Sequence, residues 1–594
     1  MQGGSAKFKN YDLYPHTRVP GCDGEAFTGY EAIVAEVERR CLADNKHILV
    51  CDLYPGADEG EILSAFMKFK PRLVIRSDDC AFDEQTIDAL MRKNMTADRV
   101  FGIMTTDCLE AYFDSEKIAE SRRQIAGITE GFILIIGVGA ALIPPPGERL
   151  LLLYFDMERW EIQIRYRKGM ANWKSNNHDA PFLLKYKRGY FIEWRLADRH
   201  KKSIWDRIDY YVNTNTAAPA AMITKNALDH ALSWIVRRPF RTVPYFDPGV
   251  WGGQWMKENF GLDRDAENYA WSFDGVPEEN SLRFLFGGVL IKMPCQNLVL
   301  FHPGELLGDH VHGRFGTEFP IRFDMLDTMG GQNLSLQVHP LTEYIQEEFN
   351  MRYTQDESYY ILDTGGEESC VYLGLKTGID RDSMVHDLYD AEEGKIQFPA
   401  ERYVNTIPVK KHDHVLIPAG TIHCSGKNTM VLEISATPYI FTFKLWDWGR
   451  LGLDGIPRPV HLEHGIHNIQ WNRDTEWVYK NLINQTKLVE QIPLGEENNP
   501  VKIEKTGLHK REFIDTYRYT FNQPVVCETR DSVNMLNLVE GAEITVESVE
   551  NSFEPLVIHY AETFIIPACV ETFRMRPSGP SDKKTVMVIQ ALVR

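Results

Sequence analysis

The sequence predicts a multidomain protein with an α/β domain built on a mainly parallel sheet at the front, followed by two all-β modules. Three observations predict it. Residues from about 30 to 235 alternate helical and strand-like segments, the pattern of a parallel sheet with crossover helices. From about residue 283 onward the texture changes to short strands punctuated by Gly, Pro, Asp and Asn. Within that region Ile565-Ile566-Pro567-Ala568 echoes Leu416-Ile417-Pro418-Ala419, so the last two modules read as related β-barrels.

Taken in order, helical periodicity covers Tyr30 to Leu42, and a buried-strand run follows at Ile48 to Cys51. Further apolar strands are expected at Leu73 to Ile75, Phe132 to Gly137 and Leu150 to Tyr154. Arg237, Arg238, Arg241 and Pro239, Pro244, Pro248 interrupt the apolar pattern, which places a join near Val236 to Pro248. A helical pattern returns at Asp380 to Glu393 as an insertion among strands. The last segment is again strand-rich, with Met535 to Val539 followed by Gly541, and Thr563 to Ala568. The expected domains are 1–235, 236–479 and 480–594, the third without a ligand set. A chain of 594 residues is too long for one hydrophobic core.

Composition narrows the function. Acidic residues number 84 against 65 basic ones, a formal charge of −19, and there is no block of consecutive Lys/Arg to track a phosphate backbone. Nucleic acid is not an expected partner. The ten cysteines show no Cys-x-x-Cys and no regular spacing, which suggests neither a disulfide framework nor a thiolate metal site and fits a reducing cytoplasm. Met1 to Asn10 is polar, unlike a secretory signal, and the longest apolar run, Gly131 to Ile143, is too short to span a bilayer.

The most informative segment is Asn333-Leu334-Ser335-Leu336-Gln337-Val338-His339-Pro340. Its alternation reads as a strand, and period two puts Gln337 and His339 on one face, where both can reach one ion. Glu357 and His423, the latter in Pro418-Ala419-Gly420-Thr421-Ile422-His423, complete a mixed N/O set suited to Zn²⁺ or a similar divalent metal. Each piece alone is commonly a turn or a satisfied polar group; together they point to a metal.

These residues resemble the class I mannose-6-phosphate isomerases, metal-dependent enzymes of the cupin fold. The resemblance covers roughly residues 240 to 594. It begins at Gly249-Val250-Trp251-Gly252-Gly253 and runs through Phe319-Pro320-Ile321-Arg322-Phe323 and the Leu334 to Pro340 strand. It continues into Val431-Leu432-Glu433-Ile434 and Leu445-Trp446-Asp447-Trp448-Gly449-Arg450. The resemblance implies metal ligation by Gln337, His339, Glu357 and His423, and interconversion of mannose 6-phosphate and fructose 6-phosphate through an enediol. It places Glu433 in the substrate cavity as a proton carrier, with an ordinary partnered carboxylate as the competing reading. Lys444 stands where the family carries an active-site Arg, which keeps the cation but loses bidentate geometry. Ser335, Lys427 and Arg450 are further candidates to contact the sugar phosphate, with solvated surface charge as the alternative for the two cations.

One departure stands out. Family members carry Lys two residues before the ligating Glu, and here Gln355 takes that place, a side chain that carries neither proton nor charge. A non-catalytic metal-binding sugar sensor, or an isomerase of another sugar, is therefore the competing expectation. The front domain resembles nucleoside and nucleotide kinase-like folds, but the loop after its first strand reads Leu53-Tyr54-Pro55-Gly56-Ala57-Asp58-Glu59-Gly60-Glu61. Carboxylates replace the Lys and hydroxyl of a phosphate-binding loop, so this domain is expected to be non-catalytic. Arg165, Arg167, Lys168, Arg195, Arg199, Lys201 and Lys202 could still offer an anion site, with a solvated face the expected reading. The expected partner is a small sugar or sugar phosphate.

Overall fold

The computed structural model describes residues 10–594 apart from 216–218, 367, 438, 453–454, 456, 493–500 and 508–511. The chain forms two compact units, one of residues 16–234 with 281–301, the other of 235–280 and 302–594 together with the N-terminal residues up to 15.

The α/β unit carries a seven-stranded sheet of β1 (Ala26–Thr28), β2 (Ile48–Leu53), β3 (Leu73–Arg76), β4 (Ile133–Gly137), β5 (Leu150–Asp156), β6 (Tyr210–Asn213) and β7 (Ala221–Thr224). Their spatial order is β1-β7-β6-β5-β2-β4-β3. Strands β3, β4, β2, β5 and β6 run parallel, and β7 and β1 add antiparallel pairs at one edge. Helices cover a parallel sheet on both faces, so all six residues of β2 are buried and its sequence is a near-continuous apolar run. Helix α1 (Tyr30–Ala43) contributes Ile33, Val34, Val37 and Cys41 from one face.

Strands β2 and β5 extend past the apolar runs that announce them because their terminal carboxylates have buried partners. Asp52 lies 2.9 Å from His200 Nε2, and Asp156 lies 2.9 Å from Lys201 Nζ, both from helix α2 (Trp194–Ile204). Lys201, expected on a solvated face, is therefore buried. An unpaired charge here would be costly, and pairing makes its burial tolerable.

The second unit begins with a sandwich of two antiparallel sheets. One comprises β8 (Tyr245–Asp247), β9 (Trp271–Gly275), β10 (Ile321–Asp327), β12 (Glu357–Thr364), β15 (His414–Ile417) and β17 (Thr429–Ala436). The other comprises β11 (Leu336–Val338), β13 (Cys370–Leu375), β14 (Val404–Pro408), β16 (His423–Ser425) and β18 (Phe443–Trp446). Their orders are β15-β12-β17-β10-β9-β8 and β14-β13-β16-β11-β18. Strand β17 lies between β12 and β10, and all eight of its residues are buried. The helical insertion spans Arg381–Glu392, capped by the Asp380 carboxylate, which accepts from Ser383 N at 2.7 Å.

Strands between 487 and 593 build a second pair of sheets, of six and four strands. Its interior is filled by apolar side chains including Phe521, Leu536, Phe564, Met575 and Val588. Among the described residues no His/Glu ligand group lies there.

A buried ionic cluster ties the two β modules and the N-terminal segment of this unit together. Arg241 Nη1 meets Glu562 Oε1 at 2.7 Å and donates to Asp12 O at 3.0 Å, and its Nη2 lies 3.6 Å from Asp274 Oδ1. Asp274 Oδ2 accepts from Tyr11 Oη at 2.7 Å and from Thr563 N at 2.9 Å. Arg241→Ala leaves two buried carboxylates without their cation and is expected to cost about 3–5 kcal/mol of stability, read from urea unfolding midpoints. Burial pushes the Asp274 carboxyl up to about 6, against the pull of Arg241. The folded chain then holds this proton where the unfolded one, ionising near 4, has lost it, so the group destabilises progressively as pH rises from about 4 to 6. The stability of Asp274→Asn relative to the parent is expected to increase over that window and then level off; an unchanged difference would contradict the shift.

Candidate metal centre

Strand β11 ends at Val338, and Pro340, lacking an N–H, follows His339, so His339 is buried just past the end of the ladder. The turn before β16 is built on Gly420, whose φ of +83° disfavours a side chain and whose added Cβ would lie 2.8 Å from Asn468 O. Its N–H donates to His339 O at 2.9 Å, which joins the two histidine-bearing segments directly. Asp356 accepts from Ala419 N at 2.6 Å and holds the same turn from the opposite sheet. Register does the rest: Gln337 pairs with His423 and with Lys444, while Glu357 pairs with Ile417 and Ser435.

The result is a buried group of His339, Glu357 and His423 whose ligand atoms all lie within 4.8 Å of one another. Glu357 Oε2 is 3.1 Å from His339 Nε2 and Glu357 Oε1 is 2.8 Å from His423 Nε2. His423 Nδ1 lies 2.9 Å from Thr421 O, and His339 Nδ1 lies 3.4 Å from Phe441 O. Those carbonyls can only accept, so each ring points an N–H there and leaves Nε2 facing Glu357 and any shared ion. The Gln337 amide lies 3.2 Å from His423 Nε2, and rotation about its last bond would present the oxygen instead.

The donor set fits a divalent ion. His339 Nε2 and Glu357 Oε1 are buried polar atoms that no hydrogen bond satisfies, as ligand atoms aimed at a shared ion would be. One ion at about 2.0–2.2 Å from each donor can bridge such spacings. The two histidines draw the Glu357 carboxyl well below its ordinary value although burial alone would raise it. The centre therefore holds an ionised carboxylate in a dry interior.

Beside it stands a second polar group. Gln355 Nε2 donates to Glu357 Oε2 and to Glu433 Oε1, each at 3.2 Å. Arg322 donates from Nη1 to Glu433 Oε1 at 3.2 Å and from Nη2 to Asp324 Oδ2 at 3.1 Å, its guanidinium 4.6 Å from the Tyr439 ring centroid. Burial first, then repulsion from Asp324 and Glu357, raises the Glu433 carboxyl well above its ordinary value, with Arg322 opposing. Arg322 is a site residue that the sequence reading missed. Its signal was present: Arg322 and Asp324 alternate with the apolar Ile321, Phe323 and Met325, a charged stripe on a strand otherwise fit for a core.

The remaining candidates separate. Lys444 is opposite Gln337 in register, on the same face, and its amide N–H lies 3.2 Å from His461 Nδ1. Ser335 is buried and its hydroxyl has no hydrogen bond. Lys427 is 51% exposed and pairs with Glu368 at 2.7 Å on the surface. Arg450 braces its own turn, donating to Asp447 Oδ1 from Nε at 3.1 Å and to Asn333 O at 2.7 Å.

Part of the chain is similar to known proteins. A mannose-6-phosphate isomerase of Streptococcus mutans is 27% identical over 223 residues, covering 36% of this chain and 63% of that protein. Mannose-6-phosphate isomerase ManA of Bacillus subtilis is 25% identical over 230 residues, covering 38% of this chain and 66% of its own. The chain thus spans less than two thirds of the length of these relatives. The crystal structure of a mannose 6-phosphate isomerase from Bacillus subtilis superposes with a TM-score of 0.46 at 18% identity, over 59% of this chain and 99% of that one. Residues 29–237 match a family profile described as a domain of unknown function (DUF8485). Among the described residues no helix is long and apolar enough to cross a membrane.

The purified chain is expected to take up one Zn²⁺, raising its melting temperature. His423→Ala and Glu357→Gln are each expected to weaken uptake by more than about tenfold, since even changes to residues behind the ligands cost about 10–100-fold. Parental zinc content in both variants would remove these residues from the site.

Proposed function

We propose that this chain is a metal-dependent sugar isomerase that interconverts an aldose and its ketose through an enediol, with mannose 6-phosphate and fructose 6-phosphate the pair to which the relatives' names point. The observation that carries the reading is the buried His339, Glu357, His423 group with a raised carboxyl, Glu433, one amide side chain away. A divalent ion held by these ligands and Gln337 would supply positive charge for substrate oxygens that grow more negative as the enediol forms. Glu433 carries the proton between C1 and C2. Because its environment penalises the ionised form, its carboxylate is a stronger base than an ordinary Glu: it takes the proton from one carbon as carboxylate and returns it to the other as the acid. Arg322 and Gln355 fix the direction of Glu433 Oε1, and Lys444, on the face of Gln337, offers a cation to the substrate.

One observation favours a second reading, a metal-holding sugar sensor without chemistry: Gln355 contacts both Glu357 and Glu433 where a lysine would supply charge. The front unit we read as non-catalytic. After β2 the Asp58 carboxylate itself accepts from Glu61 N at 2.9 Å, so the helix start that would take a phosphate is capped from within.

Full-length protein loaded with Zn²⁺ is expected to convert mannose 6-phosphate or a related aldose to the ketose, and a chelator to abolish turnover. Glu433→Gln is expected to lower kcat by about 10²–10⁴-fold with metal content unchanged. A variant that keeps the parental kcat would remove the proton-carrier role, and a metal-loaded chain that turns over no sugar would establish the sensor instead.

A further inference from the structure

The interior face of the six-stranded sheet carries more than the metal ligands. Asp324 lies opposite Glu433, Glu433 lies opposite Tyr359, and Tyr359 is two residues from Glu357, so all four share the face of the metal centre. Arg322 joins them by period two on β10, and Gln355 by its hydrogen bonds. This wall leaves a specific set of polar atoms buried without hydrogen bonds: Arg322 Nε, Tyr359 Oη, Asp324 Oδ1 and Gln355 Oε1. From the facing sheet the Ser335 hydroxyl is in the same condition.

Such atoms are expensive to leave unmatched, and here they form a complement rather than a scatter. Arg322 Nε can only donate; Asp324 Oδ1 and the Gln355 carbonyl accept; Tyr359 and Ser335 do both. A hydroxyl both donates and accepts, so neighbouring sugar hydroxyls match this mixture. A phosphate dianion has no proton to give Asp324 or Gln355, and three carboxyl groups, Asp324, Glu357 and Glu433, share the wall with a single guanidinium already divided between two of them. Of the other cations named above, Arg450 is held by Asp447 and Asn333 and Lys427 by Glu368 at the surface, and Lys444 on the face of Gln337 is a single cation set against the wall's three carboxyl groups.

We propose that the wall of Arg322, Asp324, Gln355, Tyr359 and Glu433 is a subsite for the hydroxyls of an unphosphorylated sugar, so that the preferred substrate is a neutral aldose and its ketose rather than their phosphates. The proposal rests on the isomerase reading above and specifies its substrate class. Gln355 in place of a lysine then has a reason: its amide bridges two carboxyl groups and presents a carbonyl to a hydroxyl, where an ammonium would have drawn in an anion.

The test uses the full-length, zinc-loaded protein with two probes, D-mannose and mannose 6-phosphate, measured by ketose formation and, separately, by calorimetric binding. Expected are a kcat/KM for mannose about tenfold or more above that for its phosphate, tighter binding of the neutral sugar, and binding of mannose weakened about tenfold in Tyr359→Phe with one zinc retained. Preference for the phosphate in either measurement, or mannose binding unaffected in Tyr359→Phe, overturns the subsite while leaving the isomerase reading intact. If neither probe turns over, the isomerase reading fails and binding alone decides the subsite: selective, Tyr359-dependent capture of mannose supports it, and capture of neither sugar overturns it.

Discussion

The Glu357 carboxylate, fully buried between His339 and His423, is the constraint around which the β sandwich is arranged. A single ionised carboxylate in a dry interior is tolerable only with opposite charge or strong donors at hand. Two imidazole nitrogens and the Gln355 amide surround it, and the imidazoles are in turn held by backbone carbonyls. The two sheets that supply these groups must therefore keep their separation and register, and a one-residue slip in β11 or β12 would turn the ligands to the opposite face.

The second carboxyl, Glu433, is treated differently by the same interior. Glu357 is pulled toward ionisation by neighbouring histidines, whereas Glu433 faces Asp324 and Glu357 and is pushed toward its protonated form. Two groups of the same chemistry, joined by one amide, are thus pushed in opposite directions by what surrounds each. That division needs no residue beyond those the strands already place there.

The α/β unit follows the opposite logic. Its carboxylates Asp52 and Asp156, near the strand ends, pair with His200 and Lys201 from one helix, and the helix start after β2 is capped by its own Asp58. At the carboxyl ends of the parallel strands, where open sheets commonly receive ligands, one oxygen of Asp52 and both of Asp156 are engaged from within the unit. The C-terminal sheets go further still and fill their interior with Phe521, Phe564, Met575 and similar residues, leaving volume for packing rather than chemistry.

How much of this was legible beforehand depended on the range of the interaction. Local alternation in Leu334 to His339 was enough to place Gln337 and His339 on one face, and the Pro-x-Gly turn before His423 carried its own backbone requirement. Long apolar runs marked β2, β4 and β5 for the same reason, since a strand covered on both faces must be apolar along its length. Where those runs gave way to Asp52 and Asp156 the pattern ended, although the strands did not, because the partners that make the charges tolerable lie far along the chain. Arg322 was passed over for the same reason: its partner Glu433 stands 111 residues away and meets it only through the pairing of β10 with β17. The sequence by itself determined which strands exist and which side chains are chemically able to bind a metal. The tertiary structure decided which carboxyl is pushed toward its ionised form, which toward its protonated form, and which cations are already engaged, because those depend on neighbours brought together by folding.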